Sequence, residues 1–462
     1  MLGKNIHLQD IRCVYFVGIG GIGMSAIARY FLGRGVEVHG YDKTETPLTR
    51  TLESEGMRIH YEERVSLIPP AVDLVIYTPA IPSNHAELEH FRAVGTPLKK
   101  RAEVLGIISR GMKTVAIAGT HGKTTTSSIT THLLRSGGID CTAFLGGIAR
   151  NLESNFAEGK SDWVVVEADE FDRSFLHLHP DIAAILSMDP DHLDIYGDHE
   201  TLLETGFKAF AKNLKPGGQL WVQDKLSGYF TDMPAVQTFG VERGNAQSRN
   251  IRVDSGCFVF DYTSAQVDIP GLAFPLPGRH NVENATVAIS IALSLGVHPD
   301  AIREGLRTFR GVKRRFELVY KSAHTAFFDD YAHHPTELEA AIRAARELFP
   351  DAEITGIFQP HLYSRTRDFA DGFAAALDLL DRPLLLDIYP ARELPMPGVR
   401  SEMILERMKN PNKRLCAKEE LVSVLQGHRP EVLLTLGAGD IDALVPRIAA
   451  WLSDSEPKEG TV

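Results

Sequence analysis

Twice in this chain an apolar run of strand length breaks into a glycine turn and resumes as a helical stripe: CVYFVGIGGIGMSAIARYF at 13–31 and TVAIAGTHGKTTTSS at 114–128. A buried strand that feeds a helix through a tight turn belongs to an α/β layer, where the helix packs back on a parallel sheet. In the first segment Val14 to Val17 read as the strand. Gly18, Gly20 and Gly23, with Gly21 between them, carry G-x-G-x-x-G spacing, and Ala26, Ile27 and Tyr30 begin the stripe. Such glycines let a phosphate approach the N–H groups at a helix N-terminus. Asp42 ends the next strand, Val36 to Tyr41, where a ribose-binding carboxylate would sit. This pattern leaves three readings open: a nicotinamide dinucleotide, the diphosphate of another nucleotide, or glycines needed only for packing.

The second segment narrows the choice. Its turn, G-T-H-G-K-T-T, has the phosphate-loop core, although a strict pattern would place glycine at Ile117. Backbone N–H groups from Gly119 through Thr120, His121, Gly122, Lys123, Thr124 and Thr125 would cradle ATP phosphates. Lys123 would neutralise the β/γ oxygens, and the Thr124 hydroxyl would ligate Mg²⁺. Two acidic clusters follow. WVVVEADEFDRSF puts Glu167 at a strand end, and LSMDPDHLDIYG brings Asp189, Asp191, His192 and Asp194 after another strand. Taken singly, these are turn-forming Asp and Pro or a helix cap. Behind a phosphate loop they point to a hard cation that prefers oxygen ligands. A dehydrogenase has no need of this apparatus, so the first turn is expected to hold the diphosphate of a nucleotide-linked substrate.

Length and charge bound the remainder. The 462 residues suit about three domains. Polar junctions at SRGMK (109–113) and FRGVKRR (309–315) divide them into 1–108, 109–312 and 313–462. Strands at Ala326–Asp329, Ile354–Phe358, Leu384–Asp387 and Val432–Leu436 make the last domain α/β as well. The expected fold is therefore three α/β domains: a Rossmann-like domain, a central P-loop ATPase-type domain and a C-terminal Rossmann-like domain. A net charge of −11 without a basic run argues against nucleic acid. Cys13, Cys141, Cys257 and Cys416 form no C-x-x-C pair, which disfavours a zinc ribbon and suits a reducing cytoplasm. MLGKNIHLQD has no apolar core of a leader, and the apolar stretch 285–297 is too short to span a bilayer. The last ten residues, SDSEPKEGTV, read as a frayed tail.

Eight blocks, in order, resemble the Mur ligases, the ATP-dependent amino-acid-adding enzymes of bacterial peptidoglycan synthesis. They are GIGGIGMSAIA (18–28), AGTHGKTTT (118–126), EADEFDRSF (167–175), DPDHLD (189–194), GRHNVENA (278–285), GVKRRFE (311–317), DDYAHHPTE (329–337) and QPHLYSRT (359–366). The resemblance implies a UDP-sugar domain, a central ATPase, and a C-terminal domain that closes over the site. It implies that ATP phosphorylates the lactyl carboxylate of UDP-N-acetylmuramate. The amine of L-alanine then displaces phosphate from the acyl phosphate. No protein partner is implied.

Residue by residue, the resemblance assigns Gly18, Gly20, Gly21, Gly23 and Asp42 to the UDP-sugar. It assigns Mg²⁺ to Thr124 and Glu167, and a second Mg²⁺ to His192. His192 must be neutral to ligate, so activity should fall at acidic pH. Asn281 and Asn284 face the nucleotide end of ATP, Arg315 reaches its phosphates, and Asp330 contacts the ATP side. Tyr331, His333, His361 and Arg365 surround the amino acid. His333 or His334 is a candidate to take a proton from its ammonium, a role that neither spacing nor the resemblance assigns. Three positions depart from the pattern: Leu362 stands where Arg is common, Phe171 where Ser is common and Ser187 where Asn is common. One amino-acid or carboxylate contact is then either missing or supplied by Arg367. The alternatives are a recycling ligase that adds a whole peptide, a nicotinamide dehydrogenase, and a non-catalytic nucleotide switch. QPHLYSRT, with a close carboxylate clamp, favours the single amino acid.

Overall fold

The computed structural model describes residues 7–190, 193–234, 236–391 and 393–455. They form two compact units: 1–249 with 262–270 and 283–309, and 250–261 with 271–282 and 310–462.

The first unit opens with five short parallel strands, β1 (Cys13–Val17), β2 (Glu37–Tyr41), β3 (Arg58–His60), β4 (Leu74–Tyr77) and β5 (Leu98–Lys100). Their order is β3-β2-β1-β4-β5. All five residues of β1 are buried, which is why the run is continuously apolar rather than alternating. The strand order reverses at β1, so the turn after it opens at a topological switch point, where α/β sheets bind ligands.

A second sheet follows in the same unit. Its strands are β6 (Lys113–Ala118), β7 (Thr142–Ala149), β8 (Ser154–Ala157), β9 (Trp163–Ala168), β10 (Ile182–Ile185), β11 (Gln219–Gln223) and β12 (Val236–Val241), in the order β12-β11-β10-β6-β9-β7-β8. The pairs are parallel except β7 with β8. Here β6 carries the second glycine turn, and its neighbours β9 and β10 carry the two acidic clusters. One apolar core runs under both sheets, from Val14, Phe16 and Tyr30 to Phe144, Val166 and Ile185. Three more strands follow, β13 (Ala246–Asp254), β14 (Cys257–Ser264) and β15 (Asp268–Phe274).

The second unit holds β16 (Glu317–Lys321), β17 (Ala326–Asp330), β18 (Ile354–Phe358), β19 (Arg382–Leu385), β20 (Arg414–Leu415) and β21 (Val432–Leu436). Their order is β16-β17-β21-β18-β19-β20, parallel apart from β16. Separate apolar clusters pack its two faces.

Among the described residues no helix is long and apolar enough to cross a membrane. The four cysteines are free; Cys13, Cys141 and Cys416 are buried and Cys257 partly so. The strands found exceed the sequence-based expectation chiefly at β7, β8 and β12–β15, whose glycines and polar residues mask the apolar period. The proposed tail begins inside a helix that reaches Asp454, and residues 456–462 lie outside the described set.

Candidate active site

At the end of β6 the chain turns through Gly119 to Gly122 into the helix Lys123–Ser136. Gly122 caps this helix at φ +80, and a Cβ there would lie 2.7 Å from Asn284 Oδ1. Both the left-handed backbone and the close neighbour exclude a side chain. This places Asn284 against the phosphate loop. Asn281 lies one turn earlier on the helix Arg279–Ser294, and its amide donates to Pro277 O.

The loop is held from the neighbouring strand. Ser187, just beyond β10, accepts from His121 N at 2.8 Å and from Thr120 Oγ1 at 3.0 Å. Asp189 N donates to Thr120 Oγ1 at 3.1 Å, and His121 Nε2 lies 3.1 Å from Asp189 Oδ2. The serine that departs from the usual asparagine thus works as a brace for the turn. Thr124 and Thr125 are buried in the first helical turn.

Lys123 donates to Gly119 O at 2.7 Å and to Glu170 Oε2 at 2.6 Å. Burial alone would lower its pKa, but Glu170, Asp169 and Glu167 more than offset that and hold the ammonium well above the ordinary lysine value. Burial pushes Glu170 in the opposite sense to its partner's pull, above the usual carboxylate range. Three carboxylates therefore face one ammonium, together with Arg101, whose Nη2 is 3.7 Å from Asp169. Such an excess of anionic oxygen fits a hard divalent cation. Glu167, next to last in β9, accepts from Gly146 N of β7 at 3.1 Å. A Cβ on Gly146 would lie 2.3 Å from Glu167 Oε1, so a side chain there would displace this carboxylate.

The first turn is built differently. Gly18 N and Ile19 N donate to Tyr41 O at 2.8 and 3.1 Å, and Gly20 N donates to Asp42 Oδ2 at 2.7 Å. Asp42 Oδ1 also accepts from Thr44 N, so this carboxylate shapes the turn itself. The helix Ile22–Gly33 starts at Gly21 with no side chain capping it, which leaves its N-terminal N–H groups for a ligand. The first turn and the acidic end of β9 border one cavity of about 280 Å³, lined by Gly21 and Gly23 together with Gly146, Glu167, Asp169 and Phe171.

In the second unit Arg315 and Arg314 each lie 5.1 Å from the Tyr331 ring. Asp330 accepts from Phe316 N and Ala332 N, both at 2.7 Å, so its two oxygens tie the segment after Arg315 to the end of β17. His333 Nδ1 is 3.0 Å from Tyr331 O and 3.2 Å from Glu337. Its ring is 5.2 Å from Tyr331 and 6.1 Å from His361, which stacks on Tyr389. The structure thus gathers Tyr331, His333 and His361. Leu362 stands at φ +71 and starts the helix that buries Arg365. Arg367 is exposed and pairs with Asp368, which makes it a poor substitute for a clamp. His192 and Asp191 lie outside the described residues.

Sequence reasoning passed over Asp169, Glu170, Gly146 and Arg101. Asp169 and Glu170 stand in the same quoted block as Glu167. A glycine inside a strand run, as at 146, signals close approach by another group. Arg101 carried no local signal.

Comparison with known proteins agrees with this geometry. Residues 13–113 match the Mur ligase family, catalytic domain; 117–292 match the Mur ligase middle domain; and 314–439 match the Mur ligase, glutamate ligase domain. The UDP-N-acetylmuramate–L-alanine ligase of Parabacteroides distasonis is 48% identical over 95% of this chain and 97% of its own length. The enzyme of that name from Flavobacterium johnsoniae is 46% identical over 97% of this chain and all of its own. The crystal structure of a UDP-N-acetylmuramate-alanine ligase from Thermotoga maritima superposes with a TM-score of 0.83 at 30% identity, covering 96% of this chain and 99% of that one. A murein peptide ligase from Psychrobacter arcticus shares the fold at a TM-score of 0.69 and 23% identity, over 97% and 100% of the two chains. With matches that take in both glycine turns, the acidic strand ends and the histidine cluster, this chain belongs to the Mur ligase family.

Proposed function

We propose that the chain is an ATP-dependent ligase that joins L-alanine to the lactyl carboxylate of UDP-N-acetylmuramate, giving ADP and phosphate. The observation that carries this reading is the shared cavity: a turn suited to a diphosphate opens onto the carboxylates beside Lys123. The nicotinamide reading of the first turn is set aside, because it leaves that second wall without a use.

The first turn takes the UDP diphosphate through Gly18, Gly20, Gly21 and Gly23, with Asp42 holding the turn in shape. The second takes ATP through Gly119 to Thr125 and Asn284, with Asn281 and Arg315 assigned to the same nucleotide. A lactyl carboxylate oxygen attacks the γ-phosphorus and the bond to ADP breaks. Two anions must meet, so Lys123 offsets their repulsion and the charge on the transferring group. Thr124, Glu167 and Asp169 would hold Mg²⁺, and His192 is assigned to a second; bound there, the ion supplies further charge neutralisation. The amine of L-alanine then attacks the acyl carbon and phosphate leaves. Arg365 is assigned to the alanine carboxylate, with Tyr331 and His361 beside it. Because Nδ1 of His333 faces Tyr331 O, Nε2 is the nitrogen that would accept the ammonium proton. Domain boundaries at 108/109 and 312/313 and a cytoplasmic location, where ATP is at hand, complete the proposal.

The test is phosphate release from ATP–Mg²⁺ with UDP-N-acetylmuramate, with and without L-alanine. Release that needs both, with a product heavier by one alanine residue, supports the reading. Release with a tripeptide and not with alanine moves the chain to the recycling reaction.

A further inference from the structure

Asn155 is polar, fully buried and distant in sequence from everything it bonds. It sits on β8, at the edge of the second sheet. Its amide nitrogen donates to Ile22 O and, at 3.1 Å, to Ser25 Oγ; both acceptors belong to the first turn of the helix Ile22–Gly33. Its amide oxygen accepts from Arg29 Nη1, one turn further along the same helix. Arg29 is in turn held by Glu55 through Nε and Nη2, each at 2.8 Å. Both ends of the amide are therefore used, and in one orientation only. Rotating the group would set NH₂ against the guanidinium and oxygen against a carbonyl.

The remaining contact between this helix and the second sheet includes an apolar cluster: Tyr30 lies 5.7 Å from Phe144 and 6.4 Å from Phe156. Apolar contact is strong but non-directional and permits sliding. Hydrogen bonds to a single buried amide do not. The start of the helix lines the cavity, and β7, paired with β8, carries Gly146, which lines it too.

We infer that Asn155 is a positioning residue for the ligation, pinning the first-turn helix to β8 and so setting the span from the UDP-sugar turn to Glu167. Its kinetic consequence rests on the ligase reading proposed above; the pin itself does not. A shift of about 1 Å between reacting groups can cost about a hundredfold in rate. The test uses the full chain with Asn155→Ala, and with Asn155→Asp as a near-isosteric variant that keeps the Arg29 pair but loses both donors. Expected is a fall in kcat of about 10–100-fold, with ATP affinity by calorimetry changed by less than about twofold, since Gly119–Thr125 is not pinned by this amide. Amide exchange should quicken about tenfold or more through residues 21–27 and stay unchanged through 123–130. Wild-type exchange at 21–27 in both variants would overturn the pin whatever the activity. Loss of kcat and ATP affinity together, in step with loss of folded protein, would reduce Asn155 to a stability residue and overturn its positioning role. If the wild-type protein releases no phosphate with both substrates, the ligase reading falls, and the exchange result alone decides the pin.

Discussion

The two glycine turns share a shape and differ in what surrounds them. After β1, the turn is held by backbone and one carboxylate: Tyr41 O, and Asp42 on Gly20 N. After β6, the turn is braced by Ser187 and its lysine faces Glu167, Asp169 and Glu170. On the proposed ligase reading, the first arrangement would hold an anion with dipoles alone, and the second would meet the moving phosphoryl group with charge. One local fold would then serve a phosphate that stays in place and a phosphate that reacts, and the neighbouring strands make the difference.

Substitutions can break this contrast. Lys123→Ala removes the one ammonium of the second turn. We expect kcat for phosphate release to fall about a thousandfold or more, roughly 4 kcal/mol of transition-state stabilisation. A loss below about tenfold would make the second turn as passive as the first. Gly146→Ala should come next. Its Cβ would lie 2.3 Å from Glu167 Oε1 and must push the carboxylate aside. We expect about a hundredfold lower kcat and a higher Mg²⁺ requirement, with Glu167→Gln giving the same signature. Wild-type Mg²⁺ dependence in both would remove Glu167 from the metal.

Gly20→Ala tests the other side. Its Cβ would lie 2.8 Å from Asp42 Oδ2 and 2.7 Å from Thr49 Cγ2. Here KM for UDP-N-acetylmuramate should rise about tenfold, with kcat and KM for ATP near wild type, the split expected when uniform binding is lost. A fall in kcat alone would mean that the first turn also works in the transition state.

A separate effect, on stability rather than on rate, concerns Asp330 in the second unit. Burial, opposed by Arg315, pushes its pKa up from 3.8 to about 7. A carboxyl raised on folding holds its proton more tightly in the folded state. Its contribution is complete below the ordinary value and is lost as pH rises through about 7. Between pH 4 and 7 thermal melting should therefore favour Asp330→Asn progressively over wild type, by at most about 1.4 kcal/mol per pH unit. The slope is the diagnostic, because asparagine also forfeits one of the two backbone acceptors. Parallel melting curves would leave Asp330 ionised throughout.

Much of this site was legible because its parts are local. Gly18–Gly23 and Gly119–Thr125 each lie within one strand–turn–helix, and Glu167 ends an apolar strand; spacing alone exposes them. Ser187 looked like a mere departure from pattern, yet it braces the phosphate loop from the adjacent strand β10. Asp42, expected at a ribose, also accepts from Gly20 N and so shapes its own turn. Asp330, expected on the ATP side, also accepts from Phe316 N and Ala332 N. In each case the residue type was visible and its hydrogen-bond partner was not, because that partner is brought near by folding.

The sequence by itself determined the α/β class, the two glycine turns and the blocks that carry Glu167 and the histidines, though not that Asp169 and Glu170 stand beside Lys123. These depend on hydrophobic period and on glycine at short spacing, which are properties of neighbouring residues. Only the tertiary structure decided that the first turn and Glu167 border one cavity, that the Glu167 carboxylate fills the space beside Gly146, and that Asn155 pins the first-turn helix from β8. Asn155 and Ile22 are 133 residues apart. No local period encodes such a pairing; it exists because one apolar core draws two sheets together and leaves a buried amide only those partners.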